Sequence, residues 1–99
     1  MRKKYHDLPS SYAPDGGETL LDFDSRVEKV VNSIIEENIT KRIIIITHSN
    51  FIRAAIRNAL EIPIENQNRV FIPTGSATQI KYYKDWNILM YSGHVPLFL

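Results

Sequence analysis

The sequence predicts an α/β layered fold, and three observations predict it. Two stretches carry apolar residues at helical spacing. One short run between them is wholly apolar and β-branched. The last quarter carries β-branched and aromatic residues in two arms around a compact turn. The 99 residues fit one small domain, and 43% hydrophobic with 23% charged is ordinary globular usage, which argues against disorder.

Residues 1–18 read as an irregular lead-in. Pro9, Ser10, Ser11, Pro14, Asp15, Gly16 and Gly17 are turn and breaker residues in quick succession. A helix follows. Thr19 is its expected cap, with Asp22 three residues on in the place of the capping-box acid. Leu20, Phe23, Val27, Val30, Val31, Ile34 and Ile35 form one apolar stripe, which fades at Glu36, Glu37 and Asn38.

Arg42 to Thr47 is predicted as a strand. Four consecutive isoleucines do not alternate with polar residues, and a run without alternation predicts burial on both faces, as in the centre of a mostly parallel sheet. A second helix is expected from Asn50, with Phe51, Ile52, Ala55, Ile56, Ala59 and Leu60 facing inward, ended by Pro63. Residues 63–75 read mostly as loop, with a short extended piece at Val70 to Ile72. Ser76 to Tyr83 and Asn87 to Tyr91 are predicted to flank a turn at Lys84-Asp85-Trp86. Only the isoleucine run is apolar enough to be a central strand, and such a strand needs neighbours on both sides. The chain therefore reads as half of a larger domain.

Composition excludes several function classes. Twelve Lys plus Arg against eleven Asp plus Glu leave a net charge of +1, so no broad field favours nucleic acid or an anionic membrane. No cysteine is present, which removes disulfides, thiolate metal sites and thiol nucleophiles. The basic residues Arg2, Lys3 and Lys4 have no apolar stretch behind them, unlike a secretory signal. A cytoplasmic location is expected.

The segment richest in chemistry is Thr47-His48-Ser49-Asn50. A helix begins directly after an apolar run, and its first backbone N–H groups have no partner within the helix and favour an anion. Ser49 and Asn50 can add hydrogen bonds, and His48 faces the same place, where its proton can stabilise a phosphoryl oxygen. The pattern predicts a phosphate or carboxylate site. The plainer alternative has Ser49 or Asn50 capping the helix while His48 bonds the backbone.

Three ordered segments carry a resemblance. Ile46-Thr47-His48-Ser49-Asn50-Phe51-Ile52-Arg53-Ala54 resembles the second histidine motif of the phosphoglycerate mutase-like histidine phosphatases. Pro14-Asp15-Gly16-Gly17-Glu18-Thr19 with Arg26 resembles their Gly-Glu-Ser segment. Phe71-Ile72-Pro73-Thr74-Gly75-Ser76 resembles their Ile-Pro-Thr-Gly turn. The resemblance covers the C-terminal half of that family. It implies a partial three-layer α/β/α phosphoglycerate mutase-like fold lacking the N-terminal nucleophile strand, and an activity of phosphoryl transfer or phosphomonoester hydrolysis. By motif position His48 corresponds to the histidine that binds phosphate and stabilises charge in the transition state. Ser49 takes the place of a residue, commonly glycine, whose backbone N–H meets the phosphate, and Asn50 matches the mutase branch. The hydrolytic branch implies no metal or organic cofactor; the mutase branch implies a bisphosphorylated glycerate as primer.

The family's Arg-His-Gly nucleophile motif is absent from these 99 residues. His6 lies between Tyr5 and Asp7, and Glu18 is expected to support the helix start rather than act as an acid. The expected partners are phosphate or a phosphorylated small molecule, together with further copies of the chain or a complementing N-terminal half; neither nucleic acid nor a membrane is expected. The competing expectation is a non-catalytic remnant that self-assembles as an interaction module. His94 is expected to be structural, Arg26 and Arg53 to make surface or helix-end ion pairs, with a phosphate contact the lesser alternative for Arg53, and Tyr82, Tyr83, Trp86 and Tyr91 to pack the hairpin or form an association surface. The spacing of His6, His48 and His94 matches no metal-ligand pattern.

Overall fold

The computed structural model describes residues 17–95; His6 and the lead-in through Gly16 lie outside the described residues. In chain order come helix α1 (Leu20–Glu37), helix α2 (Ser49–Leu60), a 3-10 helix (Ile64–Arg69), and strands β1 (Ala77–Tyr82) and β2 (Asn87–His94). The chain is mixed α/β.

Helix α1 starts where Thr19 predicts. The Asp22 N–H donates to Thr19 Oγ1 at 2.9 Å, satisfying one donor that the helix itself leaves unpaired. Its stripe buries Val27 fully and Phe23 and Val31 in part. Val30, placed on the same stripe, is 41% exposed, because the stripe meets one neighbouring helix rather than a full layer. Beyond α1 the chain turns through Thr40 in a left-handed conformation (φ 68°), an unfavourable backbone for a β-branched residue.

Helix α2 is the centre of the core. Ala54, Ala55, Ile56 and Ala59 are buried, and Val27 of α1 packs against Ala54 and Ala55. The three alanines let α1 and the hairpin approach closely, since short side chains reduce the spacing between packed elements. Leu60, expected to face inward, lies at the helix end and stands 37% exposed. Glu61 adopts the left-handed C-cap and Ile62 N–H donates to Arg57 O at 2.9 Å, so the helix ends at Leu60, three residues before Pro63. The stretch expected as loop after Pro63 contains the 3-10 turns.

The hairpin forms around the turn that its β-branched and aromatic arms predict. Strands β1 and β2 pair antiparallel, with Tyr82 opposite Asn87 and Ile80 opposite Leu89. The connection closes through Tyr83 N–H donating to Trp86 O at 3.0 Å, and the Tyr83 and Trp86 rings stack 5.3 Å apart. β2 runs on to His94, whose ring meets Tyr91 edge-on at 5.7 Å. Gly75 takes φ +72° in the turn before β1, a conformation glycine reaches without a Cβ clash.

The predicted strand at Arg42 to Thr47 is the main correction. The described residues contain one two-stranded sheet, β1 with β2, and residues 41–48 belong to neither strand. Ile44 is 90% exposed and Ile46 97%, against 46% for Ile43 and 45% for Ile45. The odd-numbered pair lies half against the rest of the chain; the even-numbered pair faces away. The reason is physical: a strand exists through its neighbours' hydrogen bonds, and no described segment offers them.

Candidate functional site

His48 occupies the N-cap of α2 with an extended backbone (φ −97°, ψ 161°), and its side chain makes no capping bond. Its carbonyl accepts the N–H groups of Phe51 at 3.1 Å and Ile52 at 3.2 Å, which closes the first helical turn. The imidazole is exposed, Ser49 is half-buried and Asn50 exposed. Among the described residues, the backbone N–H groups of Ser49 and Asn50 have no acceptor. Among the described residues the helix therefore begins with two donors without acceptors beside an exposed imidazole, at the positive end of the helix dipole. The plainer reading, with Ser49 or Asn50 as the cap, does not describe this geometry: both are the first residues of the helix itself.

Arg53, one turn further on, is tied down. Its Nε donates to Val70 O at 2.8 Å and its Nη1 to Asn50 Oδ1 at 2.9 Å. The guanidinium holds the loop after the 3-10 helix against α2. It also occupies the oxygen of the Asn50 amide, which leaves that side chain's N–H₂ group as its donor toward solvent. The sequence offers Arg53 an ion pair or a phosphate contact; the carbonyl it meets lies seventeen residues away, and no local pattern announces it.

Glu18 and Arg26 form a surface pair. Arg26 Nη2 and Nε donate to the Glu18 carboxylate at 3.0 and 3.1 Å, and the guanidinium lies 5.1 Å over the Phe23 ring. The hydrogen bond from Arg26 holds the Glu18 carboxyl below its ordinary range. Glu18 thus braces the start of α1. A second pair was not foreseen: Arg57, 4% exposed, donates from Nη2 to Asp24 and bolts α2 to α1. These residues are 33 apart, and a buried arginine is rare enough that no local pattern points to it. The Arg57 Nε and the Asn58 Nδ2 are buried with no described partner.

A cleft of about 220 Å³ lies among α1, α2 and the hairpin, lined by Val31, Ala55, Asn58, Ala59, Tyr82 and Tyr83 among others. It sits against the C-terminal half of α2, and none of His48, Ser49 or Asn50 lines it. Burial raises the Tyr82 phenol above its ordinary value there. Among the described residues no group of three His, Asp or Glu is placed to hold a metal ion, and no helix is long and apolar enough to cross a membrane.

In this mixed α/β chain, α2 opens on an exposed histidine and on two amides that have no acceptor among the described residues. The family model of the histidine phosphatase superfamily (branch 1) matches residues 2–92, and the chain belongs to that superfamily. No curated protein and no solved structure matches it.

Proposed function

We propose that this chain supplies the phosphate-binding wall of a histidine-phosphatase pocket, serving phosphomonoester hydrolysis or phosphoryl transfer. The observation that carries the reading is the pair of unpartnered Ser49 and Asn50 amides beside the exposed His48. In this reading both amides donate to phosphate oxygens. The Asn50 side-chain N–H₂ group, turned outward by Arg53, adds a third donor. A ring N–H of His48 donates to the phosphoryl group as charge builds on it. Asn50 leans the assignment toward the mutase branch, and Ser49 places a Cβ where that family commonly has none.

No Arg-His-Gly stands in the 99 residues, so the nucleophile belongs to a complementing half. Turnover of an aryl phosphate by the chain alone is expected to be negligible. Inorganic phosphate is expected to shift the Ser49 and Asn50 amide resonances, and His48→Ala to weaken that response. Substantial turnover by the chain alone, lost in His48→Ala, contradicts the assignment of the nucleophile. A second reading, in which the chain is a self-assembling module without catalysis, draws on the near-complete exposure of Ile44 and Ile46. Absence of any amide response to phosphate favours it.

A further inference from the structure

The cleft of about 220 Å³ among α1, α2 and the hairpin exists because α2 presents alanines there. Ala55 and Ala59 are buried and end in single methyl groups, so they form a floor that leaves space against Val31, Ile35 and Tyr82. Two amides line that space, and the fold leaves one polar group of each without a partner. The Asn58 Nδ2 is buried with no acceptor among the described residues, an arrangement that folding alone disfavours. The Asn87 Nδ2 donates to Ala59 O at 3.2 Å. A carbonyl only accepts, so this bond fixes which way the Asn87 amide is turned. Its Oδ1 is then the acceptor left over, with no donor among the described residues. Anchored on neighbouring residues of α2, the two amides offer one donor and one acceptor to the same cleft.

We propose that this cleft binds a neutral, planar heteroaromatic molecule whose edge carries an acceptor beside a donor, the chemistry of a free purine or pyrimidine base. Size, surface and charge select that class. The volume lies below the roughly 300–1,000 Å³ of sites for drug-sized ligands, so the occupant is a single ring system. The methyl floor and the Tyr82 ring are apolar surfaces on which the face of such a ring rests, while its edge meets the amides. Among the described residues Glu28 is the one charged side chain in the lining, so an anion is repelled and a neutral ring is not. Burial raises the Tyr82 phenol, which therefore stays uncharged and adds an O–H. An asparagine amide matches the amino group and ring nitrogen of adenine by giving one hydrogen bond and taking one. Here the two roles are divided: the Asn58 N–H meets the acceptor of the ligand, and the Asn87 Oδ1 takes its N–H. No residue of the phosphate cradle lines the cleft, so this inference stands apart from the phosphate reading.

Titration of adenine into the isotope-labelled chain, followed by heteronuclear NMR, tests it. The side-chain N–H₂ resonances of Asn58 and Asn87 are expected to shift and saturate at about millimolar concentration or below, while the Ser49 and Asn50 backbone amides stay fixed. Benzoate, a planar anion without an N–H edge, is expected to leave the cleft resonances unmoved. Asn58→Leu keeps the side-chain bulk and removes the buried unpartnered donor. It is expected to keep the circular dichroism spectrum and to weaken adenine binding by about tenfold or more. Shifts that never saturate, or that centre on residues outside the cleft, overturn the proposal. So does benzoate binding as tightly as adenine, or a folded Asn58→Leu that binds adenine like the wild type.

Discussion

Two apolar stretches lie within a dozen residues of each other and end in opposite environments. The inner face of α2, built on Ala54, Ala55, Ile56 and Ala59, is modest in size and buried. The run Ile43–Ile46 is larger and richer in carbon, yet two of its side chains stand almost wholly in solvent. Hydrophobicity supplies a driving force, but burial needs a surface to meet. The helix finds α1 and the hairpin, and its backbone bonds are internal. The isoleucine run must take its backbone bonds from another segment, and none is present among the described residues. A helix carries its own hydrogen bonds; a central strand borrows them.

The largest expected effect probes what bolts the buried region together. Asp24→Ala leaves Arg57 buried without its carboxylate and is expected to cost about 3–5 kcal/mol in chemical denaturation. The direct contrast comes next. Ile56→Ala, at a site 2% exposed, is expected to cost about 2–4 kcal/mol, whereas Ile46→Ser in dilute unpaired chain is expected to change stability by less than about 0.5 kcal/mol. Equal losses at the two sites break the comparison. Thr19→Ala removes the α1 cap and is expected to cost about 1 kcal/mol, with partial recovery in Thr19→Asp.

The smallest effect is a pH dependence at the cleft. Burial favours the neutral Tyr82 phenol, so its folded pKa lies above its unfolded one. The associated stability is present below the unfolded value near 10 and is lost as pH rises through the folded value. An absorbance titration of the five tyrosines is expected to show one late-ionising group that disappears in Tyr82→Phe. A titration curve unaltered in its late phase contradicts the burial argument.

Much of the fold was legible because helices and hairpins are local. The Thr19 cap, the stripe of α1, the inward residues of α2 and the pairing arms beside Trp86 follow from spacing over a few residues. The strand at 42–47 was misread for the complementary reason. β-branched composition predicts an extended, buried chain, but pairing is a property of the neighbour and not of the run. The placement of His48, Ser49 and Asn50 at a helix start after an apolar run was legible too. The grip of Arg53 on Val70 and the Arg57–Asp24 pair were not, because each joins residues far apart in the chain.

The measurement closest to the central claim is a phosphate titration of the amide-labelled chain, followed by heteronuclear NMR. Saturable shifts concentrated at Ser49 and Asn50, and reduced in His48→Ala, are the predicted result. A spectrum in which those two amides stay fixed while inorganic phosphate is added to excess contradicts the account.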